Sequence, residues 1–569
     1  MAAAMIPLIG MIGGAIDLSR MYIVKTRLQH ACDAGALAGR KAMGGGTWTQ
    51  SSGAPGKAAK QFFDANISKT AYGAAVADGV FRENAGKVTG TASATVPMTL
   101  MRVFGFTSRT LSVTCDAEMR LPNTDVMFVL DTTGSMSQSI GSVTKIDALR
   151  VAVKCFYEIV ARLDTDAQCT TGTPSGGTGD QVQIRFGFVP YAVNVNVGRL
   201  LKPEWMVDKW TYQSRVYIPP SYGAWGNWGA ALKILSCGAL PPNTDTVEYR
   251  ANLNVLGLVC IVETRSRTVQ PASWEYRPVE HNVSGLKNGS GWNASVQLPL
   301  DNGGAARSVS WPGCIEERQT IQTSTFTSIT SSAYDLDIDK VPTADVTTRW
   351  KPWLPGALYT RQSTGRNDTG NWNRATIRTT TDYSNNAYAA CPTAARKLQG
   401  WDNADVFDDY VDSLRPEGNT YHDIGLLWGA RLMSATGIFA NENARTLQGG
   451  DIERHLIFMT DGDTQAAPTD YNAYGIPWFD RRQTLDTVVP TADMLEAQIN
   501  ARFAALCTAV KKKNITLWVI SFGSMTNETK TRLETCATTG RYFSANDAAS
   551  LQSTFKSIAD QISQLRLTK

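Results

Sequence analysis

Asp131, Thr133 and Ser135 stand at alternate positions of LDTTGSMS, so one tight turn carries a carboxylate and two hydroxyls. Side chains spaced in this way converge on one point. An all-oxygen set suits a hard divalent cation such as Mg2+, which prefers near-octahedral oxygen coordination and keeps some of its waters. Neutral hydroxyl ligands leave the ion electron-poor, and it then accepts a further carboxylate from a partner. Turn chemistry alone is the competing account, because Asp, Thr and Gly favour turns whether or not a metal is present.

The elements around the turn are those of an α/β domain. Val126 to Leu130 is a continuous apolar run ending in Asp131, the pattern of a strand buried on both faces of a parallel sheet. Ligands of open α/β sheets sit beyond the carboxyl ends of such strands. A helical pattern follows through Ile146, Leu149, Val153, Phe156, Ile159 and Leu163, and QIRFGFVPYAVNV supplies the next strand or hairpin. Later come a strand over Arg454 to Thr460, a helix over Asp493 to Lys512 and a strand over Ile515 to Phe522. A last helix has apolar positions at Leu551, Phe555, Ile558, Ile562 and Leu565. This alternation predicts a doubly wound, Rossmann-like α/β sheet.

The LDTTGSMS turn resembles the Asp-x-Ser-x-Ser motif of the von Willebrand factor A family, with Thr133 supplying the same oxygen as the commoner serine. The resemblance implies a metal-ion-dependent adhesion site, or MIDAS. That site calls for a threonine on a second loop and an aspartate after a later strand. Thr420 in PEGNTYHDIGLLWGARLMS and Asp461 in HLIFMTDGDT meet the two requirements. Turn chemistry explains each motif singly but not the three in order. Thr133 and Ser135 are expected to touch the ion, with Thr420 direct or through water. Asp131 and Asp461 are expected to hold coordinated waters and supply negative charge. The implied cofactor is Mg2+, or another divalent cation such as Mn2+ or Ca2+. Asp463 is read as a solvated turn residue and His422 as an exposed histidine at a helix start.

Other motifs carry less. Asp335, Asp337 and Asp339 in YDLDIDK fail as a calcium loop, with Lys340 at the sixth position and Val346 at the twelfth, and read as an exposed strand face. GTPSGGTGD lacks the Lys-Ser/Thr of a phosphate loop. Without HExxH, GxSxG or a nucleophile paired with a base, the chain is expected not to be an enzyme. Lys plus Arg number 55 against 51 Asp plus Glu, a balance that does not ask for nucleic acid. Ten cysteines without a CxxC pair, and four histidines, favour scattered disulfides outside the cytoplasm over zinc. Cys507 and Cys536 flank the strand Ile515 to Phe522 and are expected to pair.

At the amino end, Ala2 to Ile16 is apolar but shorter than the roughly 20 residues of a bilayer span. The chain opens on this stretch without a basic lead, so a trimmed or misassigned start is expected. Apolar residues continue at helical spacing through Leu18, Met21, Tyr22, Val24, Leu28, Ala31, Ala34, Leu37 and Ala38. One helix over residues 1 to about 40, its first half in a bilayer, is the reading. The charged continuation and the lack of a small-x-small cleavage site argue against a signal peptide. Arg20, Lys25 and Arg27 would hold their side in the cytoplasm. A missing basic lead would reverse that cue, and cysteine usage points outward. GGAIDLSRMYIVKTRLQHACDAGALAGRKAM resembles the amino-terminal segment of TadE/TadG-like pilus-assembly proteins, which implies a pilin-like helix rooted in the inner membrane.

At 569 residues, with 43% hydrophobic and 19% charged, the chain is long enough for two or three folded domains. The expected division is a pilin-like anchor helix over 1–43 and a small helix-plus-β head over 44–120. The von Willebrand A domain occupies 121–200 and 402–569, with a β-rich insertion over 201–401. In the head, Gly44 to Gly56 reads as a Gly/Ser-rich break before a short helical piece near Lys57 to Ala65, and VTGTASATVPMTLM and LSVTCDAEM read as strands. The insertion holds eleven of the fifteen tryptophans, which with neighbours such as Tyr212, Tyr222 and Tyr276 are expected to form its core.

The whole arrangement resembles TadG-type proteins of tight-adherence (Flp-type) pilus systems. It implies an inner-membrane-anchored binding protein facing the periplasm, the cell surface or the pilus. Such a protein acts in pilus assembly or adhesion, on pilus components or on a protein ligand that offers a carboxylate. An extracellular adhesin that binds host or matrix ligands without a pilus is the alternative. A cytoplasmic partner of an ATPase chaperone is a third reading, which disulfide formation would exclude.

Overall fold

The computed structural model describes residues 2–43, 48–84, 87–118, 123–169, 174, 183–234, 238–253, 259–361, 374–383, 387–446, 450–563 and 566–567. The chain is a mixed α/β protein with a long amino-terminal helix and several sheets. Helix α1 (Ala2–Met43) buries Val24, Leu28, Ala31, Cys32 and Ala36, a stripe at helical spacing, against a small antiparallel sheet. Among the described residues no helix is long and apolar enough to cross a membrane. Helix α2 (Gln50–Asn66) starts earlier than the expected Gly/Ser-rich break allows. Ser52 and Gly53 take positive φ and set off a first turn, and Pro55 then stands near the start of the straight segment, where its missing N–H costs nothing. Strands β1 (Lys87–Pro97) and β2 (Ser108–Glu118) pair antiparallel, and the Cys32–Cys115 disulfide fastens α1 to β2.

A second sheet has six strands. Strand β3 (Thr124–Asp131) is buried throughout, and helix α3 (Lys145–Ala161) follows it, its start capped by Thr144. Strand β4 (Ile184–Tyr191) lies parallel to β3. The chain then builds smaller sheets around the long hairpin of β5 (Lys209–Ile218) and β6 (Ser273–Asn282). It rejoins the six-stranded sheet at β7 (Arg396–Gln399), an antiparallel edge strand beside β4 that lies inside the range expected for the insertion. Helices α4 (Ala404–Asp412) and α5 (His422–Met433) lead to β8 (Glu453–Thr460). Helix α6 (Ala492–Lys511), strand β9 (Ile515–Phe522), helix α7 (Asn527–Cys536), strand β10 (Tyr542–Ala545) and helix α8 (Ala548–Ile562) complete this part. The sheet order is β7-β4-β3-β8-β9-β10, with all strands parallel except β7. Arg566–Leu567 returns to the small sheet and pairs with β2.

Alternation along β3 divides the core between two faces. Val126, Phe128 and Leu130 pack with α3 and α8, while Met127 and Val129 pack with α5. Gly429 lets α5 lie close, since a Cβ there would come within 2.3 Å of Val129 Cγ2. The residues 201–401 share this second core, with Trp311, Trp350 and Trp353 buried in the same cluster as Trp428 of α5. Tyr212 and Tyr276 are buried there too, whereas Tyr222 is exposed and carries Arg267 on its ring.

YDLDIDK is not an exposed strand. Asp335 is fully buried and paired with Arg502, and Asp339 pairs with Lys513 and accepts from Ser434 and Thr436. Asp335 and Asp339 thus brace the helices beside them, while the exposed Asp337 accepts the Asp339 and Lys340 N–H groups of its own turn. GTPSGGTGD lies outside the described residues apart from Pro174, as does Leu565.

Candidate metal centre

The parallel strands β3 and β8 end side by side, and this brings Asp131 next to Asp461 across 330 residues of sequence. Asp131 is wholly buried, its Oδ1 accepting the Thr133 N–H at 2.9 Å and the Thr133 hydroxyl at 2.6 Å. Thr133 Oγ1 lies 3.0 Å from Ser135 Oγ, and Ser135 donates to Asp461 Oδ1 at 2.6 Å. Four oxygen-bearing side chains from two loops therefore form one continuous chain. Burial, and then the Asp461 charge, push the Asp131 carboxyl up to about 7.

The donor set fits a small hard cation. Cis ligands of an octahedral Mg2+ with bonds of 2.0–2.1 Å stand about 3 Å apart, and the two hydroxyl oxygens are separated by 3.0 Å. Two buried carboxylates side by side also favour a cation between or beside them. Thr420 is buried on the loop before α5. That loop is tied to the turn by the Gly134 N–H to the Gly418 carbonyl at 2.8 Å and by the Glu417 N–H to the Thr132 carbonyl at 2.7 Å. Backbone bonds in both directions between Thr420 and Gln465 join it to the Asp461 loop as well.

Residues 1–47 match the model of the Flp pilus-assembly TadE/G-like family. No curated protein matches the chain. Among solved structures it is similar to the pilus adhesin SpaC from Lactobacillus rhamnosus GG, at 9% identity and a TM-score of 0.30, over 86% of this chain and 34% of SpaC. The chain thus spans about a third of SpaC's length. It is similar to the vWF domain of the type V pili tip protein Mfa5 from Porphyromonas gingivalis, at 14% identity and a TM-score of 0.20, over 29% of this chain and 74% of that one. A third is proximal thread matrix protein 1 from the mussel byssus with a zinc-occupied MIDAS motif, at 16% identity and a TM-score of 0.18, over 36% and 39%.

Around the four oxygens stand groups the sequence did not single out. Thr460 donates to Asp131 Oδ2 at 2.8 Å, and Tyr191 reaches the same oxygen at 3.4 Å. Lys145, at the start of α3, places Nζ 2.8 Å from Asp461 Oδ2. Its position just after the motif was the available signal, but nothing local says that the side chain folds back. His422 is not exposed. It is fully buried, with Nε2 2.9 Å from Thr460 Oγ1 and Nδ1 3.1 Å from Thr464 Oγ1, and burial pushes the imidazole down to about 3. A neutral imidazole between two hydroxyls orients Thr460 toward Asp131. Asp463 is half-buried, not a free turn residue, and accepts from the Thr526 hydroxyl at 2.7 Å, bracing the start of α7.

Proposed function

We propose that this chain is a membrane-anchored, metal-dependent binding protein of a tight-adherence pilus system, acting in assembly or adhesion through a von Willebrand A-type domain. The observation that carries the metal reading is the convergence of Asp131, Thr133, Ser135 and Asp461 at the carboxyl ends of neighbouring parallel strands. The pilus assignment rests on the TadE/G-like segment at residues 1–47. Thr133 and Ser135 would hold Mg2+ directly, with Thr420 approaching from its loop. Asp131 and Asp461 would supply charge and accept from coordinated waters. The bound ion offers a Lewis-acidic position to a partner's carboxylate. The protein's own part is preorganisation: Thr460, Tyr191 and His422 hold Asp131 in place before any ion arrives.

Calorimetry of the purified chain with Mg2+, Mn2+ and Ca2+ tests the reading. Binding is expected, Asp131→Ala should abolish it, and Thr420→Ala should weaken partner capture while the fold survives. Partner binding should be lost in chelator and be competed by free carboxylates. The absence of divalent-ion binding in the unaltered chain would refute the metal site.

A further inference from the structure

A groove of about 1110 Å³ lies away from the metal centre. It runs between α1 and the turn end of the β1–β2 hairpin, lined by Leu18, Tyr22 and Ile23 on one side and Met98, Met101 and Phe106 on the other. The connection between β1 and β2 tightens into a single turn over Met101–Phe104 and reads MRVFGF. Phe106, 60% exposed, lies across the groove from Leu18 at 63% and Tyr22 at 72%, and Val103 on the same turn is 80% exposed. So many large apolar side chains in one patch are unusual on a surface that meets only water.

The turn is held at a definite height on the helix. Asp17 accepts the backbone N–H groups of Thr99, Leu100 and Met101 at 2.9, 3.1 and 2.9 Å. Arg20 donates to the Tyr72 and Pro97 carbonyls and to Thr99. Gly13 allows the contact, because a Cβ there would stand 2.8 Å from Leu100 Cβ. The turn thus meets α1 where the apolar run Ala2–Ile16 gives way to the charged continuation. Lys25 and Arg109 line the groove, and Arg102 on the turn and Arg27 on α1 are exposed as well. Among the described residues that line the groove, the one acid is Asp17, and its oxygens are taken up by the turn.

We infer that the Met101–Phe106 turn and the adjoining face of α1 form a second foothold, seated in the interfacial layer of an anionic bilayer. The inference rests on the anchoring reading above and adds a surface to it. Continuity with the apolar run and the basic side chains select the occupant: apolar side chains enter the acyl boundary while Arg102, Arg109 and Lys25 meet lipid phosphates. With the turn seated, α1 and the small sheet, already fastened to each other by the Cys32–Cys115 disulfide, are held at one tilt to the membrane.

The test uses the full chain reconstituted in phosphatidylglycerol-containing vesicles. Among the described residues no cysteine is free, so a spin label on Val103→Cys is selective in the oxidised protein. Val489→Cys, 60% exposed outside the groove, serves as the control. Collision with a water-soluble nickel chelate is expected to fall at least tenfold at position 103 relative to 489, with a smaller fall in phosphatidylcholine vesicles. Equal accessibility at the two positions, in protein that floats with the vesicles, overturns the foothold and leaves the anchor standing. Spin–spin broadening at 103 that vanishes on dilution with unlabelled chain overturns it in favour of a second copy. Equal depth in both lipids overturns the role given to the arginines. Protein that does not float overturns foothold and anchor together.

Discussion

Glu317 ties the 201–401 segment to helix α5, and Glu317→Gln is the perturbation that tests this join. The carboxylate is wholly buried. It accepts from Trp428 Nε1 at 2.6 Å, Arg431 Nη1 at 2.7 Å and Trp350 Nε1 at 3.1 Å. Arg431 is fully buried as well, and Lys351 and Arg318 lie close by with their charges also desolvated. An amide keeps the volume and removes the charge that balances them. Breaking a buried ion pair from one side costs about 3–5 kcal/mol, and a reoriented amide can satisfy only part of the donor set, which adds about 1 kcal/mol. A loss of roughly 4–6 kcal/mol is therefore expected. Urea unfolding followed by tryptophan fluorescence reads it directly, since Trp350 and Trp428 both donate to this carboxylate. Glu317→Gln combined with Arg431→Met should be far less destabilised than the sum of the single variants, with a coupling of about 2 kcal/mol or more. A loss under about 1 kcal/mol, or additivity of the two changes, would refute the claim that these charges act as one buried unit.

Other outcomes follow from single features. His455 is buried, its Nδ1 accepts from Trp518, and burial pushes its imidazole down to about 4. The unfolded chain binds the proton first, near pH 6.5, so this stability is present above that pH and fades as pH falls toward 4. The loss is about 1.4 kcal/mol per pH unit at most, and denaturation at pH 7 and pH 5 should show a shallower pH dependence in His455→Gln. The Cys507–Cys536 bond closes a 29-residue separation, and replacing both with Ser should cost roughly 3–4 kcal/mol in the chain-entropy model, read by non-reducing denaturation. Lys145→Met removes an ammonium from Asp461 and should tighten Mg2+ by at least about tenfold in calorimetry, since one unit charge at this range is worth more than about 1.4 kcal/mol at an effective dielectric near 20. Unchanged affinity would mean that the lysine swings away when the ion binds.

What the sequence determined by itself is local. An uninterrupted apolar run ending in Asp131 is a strand buried on both faces, and the turn after it places Thr133 and Ser135 two residues apart, so three of the four converging side chains sit on one legible segment. The stripe on α1, the strands of the small sheet and the Cys507–Cys536 pair were legible for the same reason: period and spacing reflect which side of an element meets the core. Only the tertiary structure decided the rest. The parallel register of β3 and β8 puts Asp461 against Ser135, and Lys145 and Asp461 are 316 residues apart. A polar pattern cannot distinguish a solvated charge from one paired in the interior. His422, Asp335 and Asp463 therefore read as exposed until the segments packed over them were known. An edge strand of four residues such as Arg396–Gln399 has too few positions to show a period, and it exists because β4 offers an unpaired edge.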